Sequence, residues 1–278
     1  MSRIPRIVHF VFGLRPQLEP FHLVHHLAVA SCAAVLAPDA IHFHCHELPY
    51  GLYWDLTRPL VELHRIEMVG AVSAFPYEDP LVKHYSYAHH ADVVRLDVLA
   101  EHGGMYADID TLFVAPPRDE LWDAPAVIGR EANVDDPRTG QSRTSLSNAL
   151  VMAEPRARFV VHWRSEIEGA LDGTWSAHSC FLADDLSRRL PNDVVVEPER
   201  TFHAYAPNPD GIRRMLVERD TDLTGIASLH LAAHLWWEES RRDCSDVHAR
   251  QINEEWVRAG ACTYAAAARQ FLPQHGCF

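Results

Sequence analysis

Asp108 and Asp110 are separated by a single residue, and this spacing is the feature of the chain best suited to chemistry. In extended geometry both carboxylates point to one side while Ile109 points to the other, into a core. Two carboxylates at the end of a central strand form a hard-oxygen site for Mg²⁺ or Mn²⁺, ions that keep room for substrate phosphates. Upstream, Asp92 and Arg95 lie three residues apart and so share one face of any helix that carries them. The elements that must position these four residues are legible in Tyr87 to Thr111. Val93, Leu96 and Ala100 recur at helical spacing, with Val94 and Val98 on a second apolar stripe, which predicts a helix buried on most sides. Such a helix carries a charged pair only where each has a partner. Gly103-Gly104 stops the helix, because glycine accepts the left-handed conformation a C-terminal cap needs. A short strand, Met105-Tyr106-Ala107, then delivers Asp108.

The ordered set Asp92, Arg95, Gly103, Gly104, Tyr106, Asp108 and Asp110 resembles the core of glycosyltransferase family 32, the DXD sugar-binding group. Relatives in that group include initiating mannosyltransferases and α-1,4-galactosyl- and N-acetylglucosaminyltransferases. The specificity lies in the ordered set. A second DxD, Asp220-Thr221-Asp222, reads as a chance match in a polar loop. The resemblance implies the GT-A fold: an open, mostly parallel α/β sheet flanked by helices, forming a Rossmann-like nucleotide-sugar domain. It also implies Mn²⁺ or Mg²⁺ as cofactor and transfer with retained anomeric configuration. Asp110 becomes the metal ligand, and Asp108 bridges to the metal through water or holds a sugar or ribose hydroxyl. Arg95 pairs with Asp108 or the donor, and Asp92 binds sugar hydroxyls.

Three other segments carry the likeness. Ile4-Pro5-Arg6-Ile7-Val8-His9 matches the family's opening strand, whose end contacts the nucleotide; His9 and Phe12 then either approach the base or are core residues. Ser147-Asn148-Ala149-Leu150 resembles a segment whose asparagine faces the donor sugar, which makes Asn148 a donor contact or else a strand-edge asparagine. Ala233 to Ser240 resembles a C-terminal motif of the α-1,4-galactosyltransferase branch, with Trp237 where that pattern has asparagine. There His234 either completes the metal–diphosphate centre or is a core histidine, and Trp236 is expected to cover the sugar from a mobile aromatic loop.

Strands are expected at Ile4–Gly13, Ile41–His46, Val61–Val69, Ala126–Gly129, Ser145–Ala153 and Val194–Val196. Thr111–Val114 is read as continuing the DxD strand, and Ile226–Trp237 as the last strand and loop. Helices are expected from Glu19 to Ala37, Pro155 to Ala170, Cys180 to Leu190 and, broken near Gly260, Asp246 to Leu272. Ala71 to Pro80 reads as a cleft-shaping loop. His42, His44 and His46 share one strand face; with 19 histidines in the chain, this is read as an exposed face rather than a metal site. The alternation of strands and helices indicates one α/β domain, residues 1–278, with residues 235–278 as a C-terminal lid and helices.

With 278 residues and 47% hydrophobic content, the chain can bury a sizeable core. A net charge of −13 argues against a nucleic-acid surface. One lysine, Lys83, leaves nearly all positive charge to arginine, which together with the alanine content points to a GC-rich bacterial genome. The six cysteines form no CxxC pair and are expected to be free thiols in a reducing cytosol. No apolar run is long enough for a membrane span, so a cytoplasmic protein is expected. The functional expectation is a metal-dependent retaining transferase that moves a sugar from a nucleotide-sugar, UDP-linked in preference to GDP-mannose. The acceptor is a hydroxyl, on a saccharide or a natural product. Two alternatives stand beside it: a phosphohydrolase built from Asp108, Asp110 and His89-His90, and a catalytically silent sugar-nucleotide binder.

Overall fold

The computed structural model describes residues 2–237 and 247–274. Among the described residues nine strands form: β1 (Ile7–Phe12), β2 (Ala40–Cys45), β3 (Glu62–Arg65), β4 (Gly104–Ala107), β5 (Thr111–Phe113), β6 (Ala126–Asp135), β7 (Ser142–Ala153), β8 (Val195–Glu197) and β9 (Ser228–His230). Seven of them make the central sheet, in the order β3-β2-β1-β4-β7-β6-β8. All neighbours run parallel except β7, which is antiparallel to both β4 and β6. The near-continuous apolar runs of β1 and β4 follow from this position, since an interior strand with both faces covered has no polar side. Helix Tyr87–His102 covers one face, packing Val93, Leu96 and Leu99 with Tyr106, Ile128 and Val151. On the other face Phe10, Phe43, Trp54 and Trp122 pack together. A third cluster joins Leu112, Leu229, Trp236 and Tyr264 near the C-terminal helices Glu254–Ala259 and Thr263–Ala268.

The predicted helix from Tyr87 ends where the sequence placed its stop. Gly103 and Gly104 take φ of 65° and 99°, and a Cβ on Gly104 would lie 2.5 Å from the Ile7 carbonyl oxygen. Only glycine lets the chain reverse that close to β1, and this reversal starts β4 at the level needed to carry Asp108 to the sheet's edge.

Several expectations are corrected. Asp108-Ile109-Asp110 is not extended; the Thr111 amide donates to the Asp108 carbonyl at 3.0 Å, so the motif forms a tight turn. Thr111 onward therefore does not prolong β4. It starts β5, which leaves the main sheet to pair antiparallel with β9. The predicted loop at Ala71 begins inside a short helix, Gly70–Ala74. The histidine face of β2 is not exposed, because β2 is an interior strand between β1 and β3, and His44 is only 3% exposed. His46, past the strand end, turns aside to the Ile66 carbonyl.

Candidate active site

The turn after β4 has two carboxylates to place, and the backbone around it fixes each one differently. Asp110 is held by β9. The register sets Thr111 opposite His230, so that histidine sits beside the residue following Asp110. Ala232 adopts a left-handed backbone (φ 46°), rare for a residue with a Cβ, and this conformation aims the Ala233 amide at Asp110 Oδ2, 2.7 Å away. His230 Nε2 lies 3.3 Å from Asp110 Oδ1 and 3.6 Å from Asp108 Oδ2. Asp108 in turn accepts from the Tyr106 hydroxyl at 2.7 Å and faces the Arg95 guanidinium at 3.5 Å.

Asp92 and Arg95 stand side by side one turn apart, as their spacing requires. Arg95 is 2.8 Å from Asp92 Oδ1, lies over the Tyr106 ring at 4.4 Å, and donates to the Asn148 carbonyl. Asn148 Nδ2 donates to Asp92 Oδ1 at 2.7 Å, and His178 Nε2 meets Asp92 Oδ2 at 3.0 Å. A buried charged pair of this kind survives only when each member is satisfied several times over, and here both are.

The electrostatics follow from this arrangement. Burial alone would raise the Asp92 carboxyl, but Arg95 and His178 outweigh it and hold it at about 2. Burial raises Asp108, against the pull of Arg95 and His230. Asp110 goes the other way: His230 and the Ala233 amide overcome burial and keep it ionised far below the usual carboxylate range. Burial would lower His230, yet Asp110 and Asp108 raise it to about 9. Two carboxylates held this close favour positive charge between them. Asp108, Asp110 and His230 offer three ligand atoms all within 4.8 Å of one another, and a carboxylate–imidazole set suits Mn²⁺ or a similar divalent ion.

These groups form the floor of a cavity of about 820 Å³. Phe12, Asp92, Arg95, Asp108, Asp110, Asn148 and His234 all line it, so most residues singled out in the sequence meet here. Three expectations change. His9 is fully buried on the sheet face and bonded to the Gly103 carbonyl and His44, away from the cavity. Trp236 is also fully buried, donating to the Leu231 carbonyl in the third core cluster, and Trp237 lines the cavity instead. His234 stacks on Trp175 at 4.7 Å, and the histidine that joins the two carboxylates is His230. The short helical turn Ala233–Leu235 causes both shifts, since it rotates residues 234 to 237 off the alternation of β9. His89 and His90 do not approach Asp108 or Asp110; His89 bonds Tyr77, and His90 accepts from the Val69 amide. The hydrolase constellation is therefore not assembled. Asp222 in the second DxD is exposed and pairs with Arg200. Glu238 to Ser240 of the C-terminal motif lie outside the described residues.

His230, His178 and Glu131 were missed. Glu131 lines the cavity from β6; burial raises its carboxyl, and Ser145 donates to it at 2.5 Å. Each reaches the site through strand pairing or packing across the fold, which no local spacing encodes. The one local signal for His230 was a histidine inside the apolar segment that runs from Ile226 to Leu235.

Residues 63–129 match the model of a family described as the glycosyltransferase sugar-binding region containing the DXD motif. The chain is 34% identical over 258 residues to "Glucan organizing enzyme 1" of the fungus Cryptococcus neoformans var. grubii, covering 90% of this chain and 67% of that one. This relative is fungal, whereas composition had pointed to a bacterial genome. Among solved structures, the chain is similar to the galactosyltransferase LgtC in complex with donor and acceptor sugar analogs. The TM-score is 0.50 at 15% identity, over 96% of this chain and 98% of that one. That likeness is one of fold, and it is the GT-A architecture expected from the motif. Among the described residues, no helix is long and apolar enough to cross a membrane.

Proposed function

The chain belongs to the DXD-motif glycosyltransferases, and from this premise we propose that it is a metal-dependent, retaining hexosyltransferase using a nucleotide-sugar donor. A UDP-sugar is the favoured donor, with GDP-mannose second. The observation that carries this reading is the convergence of Asp108, Asp110 and His230 on the floor of the cavity. These residues would hold Mn²⁺ or Mg²⁺, which when bound supplies charge neutralisation at a departing diphosphate.

The remaining roles belong to side chains already placed. A carboxylate has about four acceptor sites, and Asp92 uses three of them on Asn148, Arg95 and His178. The fourth is left for a sugar hydroxyl, on a carboxylate too firmly held to swing away. Arg95 keeps Asp108 oriented and, being buried, gives up no bound water when the donor arrives. Val11, Phe12 and Gly13 at the end of β1 line the part of the cavity suited to a flat base. The stacked pair Trp175 and His234 offers an apolar platform on which a pyranose ring of the acceptor can lie. A saccharide acceptor also accords with the fungal relative's name, which refers to glucan. Residues 1–278 act as one domain in this reading.

The test is donor binding followed by thermal shift with and without Mn²⁺. Asp110→Ala abolishes the Mn²⁺-dependent stabilisation by UDP or a UDP-sugar, whereas Asp222→Ala leaves it intact. Equal loss in both variants, with folding preserved, removes the assignment.

A further inference from the structure

Five histidines crowd the sheet face beside the end of helix Tyr87–His102, apart from the donor cavity. The parallel register sets His9 of β1 beside His42 of β2, and His44 beside His64 of β3. Alternation then puts all four on one face of the sheet. His102, at the end of the helix, brings its ring within 6.0 Å of those of His9 and His42. Buried polar groups ordinarily find partners, and this cluster departs from that rule. His42 Nδ1 and His64 Nε2 are buried with no hydrogen-bond partner among the described residues.

His9, His42 and His44 offer three ring nitrogens all within 4.8 Å of one another. His9 Nδ1 and His44 Nε2 are 3.1 Å apart, close to the roughly 3.3 Å separating two nitrogens on a tetrahedral ion with bonds of about 2.0–2.1 Å. His9 Nε2 is 2.8 Å from the Gly103 carbonyl oxygen, to which it must donate. That bond fixes the tautomer and leaves Nδ1 as the acceptor nitrogen, which meets His44 Nε2 in the absence of an ion. A ring so fixed is the arrangement that orients a metal-binding imidazole. His42 has 12% of its side-chain surface open to solvent, which gives an ion a path in.

We propose that His9, His42 and His44 form a second metal site, for a divalent transition ion of the zinc class, separate from the DxD centre. Three imidazoles with a fourth position open to water match the ligand preference of Zn²⁺ and are poor ligands for Mg²⁺. An adjacent set, His42, Glu62 and His64, shares one ligand with this triad. The ion belongs with the triad because there alone a second contact, from Gly103, fixes a ring.

The preference for imidazole supplies the experiment. The full chain is dialysed against Zn²⁺ and then against excess Mg²⁺, and retained zinc is measured. Asp110→Asn, in which the carboxylate–imidazole centre is broken, retains one zinc per chain; adding His42→Gln or His44→Gln to it removes that zinc while circular dichroism is kept. Co²⁺ in place of Zn²⁺ gives the intense visible bands of a four-coordinate nitrogen site in wild type and not in His42→Gln. Zinc also raises the melting temperature of wild type but not of His42→Gln. Three results overturn the proposal: no zinc retained by folded wild type, zinc lost in Asp110→Asn, or zinc lost in His64→Gln while His44→Gln keeps it.

Discussion

Replacing Asp92 with asparagine tests whether its charge or merely its shape holds the cavity wall. The side chain is 8% exposed and bonded to Arg95, Asn148 and His178. Its carboxyl stands at about 2, against an ordinary 3.8. At about 1.36 kcal/mol for each pH unit, that depression is worth about 2 kcal/mol of stability. Because the folded state lowers this carboxyl, the contribution is complete above pH 4 and disappears as pH falls from about 4 towards about 2. Denaturant unfolding of wild type and Asp92→Asn, repeated from pH 7 down to pH 3, should show a gap of about 2 kcal/mol at neutral pH that narrows below pH 4. The variant should also lose sugar transfer at pH 7, since the asparagine presents an amide where a hydroxyl needs an acceptor. A gap that does not change with pH would refute the electrostatic account, and equal stability at pH 7 would refute the importance of the charge altogether.

His230→Gln should cut transfer by on the order of 10²-fold and remove the Mn²⁺-induced thermal shift, whereas His234→Ala should keep that shift and raise the KM for the acceptor. Trp236→Ala, which empties a fully buried indole site, should cost about 3–5 kcal/mol in denaturant unfolding; Trp237→Ala should affect donor or acceptor KM more than stability. Cys32, Cys45, Cys180 and Cys262 are free and buried. They should therefore resist a thiol reagent in the native protein, and titration after denaturation without reductant should count all six cysteines of the chain.

How much of this was legible in the sequence depended on how far apart the cooperating residues lie. Asp92 and Arg95 could be paired because one helical turn separates them, and Gly103-Gly104 announced the reversal because few residues tolerate such φ values. The turn geometry of the DxD was not legible: nothing local says that Thr111 abandons the main sheet for β9. That one departure also brings in a histidine no local spacing foretold, since His230 enters through a strand pairing. Trp236 was expected at the sugar and is buried instead, because a single helical turn, Ala233–Leu235, changes which of two adjacent side chains faces inward. His9 looked like a base contact by position, but a mid-strand residue faces the layer above the sheet rather than its edge.

The pairing of β5 with β9 also sets a timetable. A chain growing from its N-terminus has helix Tyr87–His102, the glycine reversal and both carboxylates long before Ser228–His230 is made. Until that late segment arrives, Asp110 lacks the imidazole and the Ala233 amide, and only Asp108 has its partners, Tyr106 and Arg95, in place. Chains that stop before Ser228 are therefore unable to assemble the carboxylate–imidazole centre, however well their first half folds.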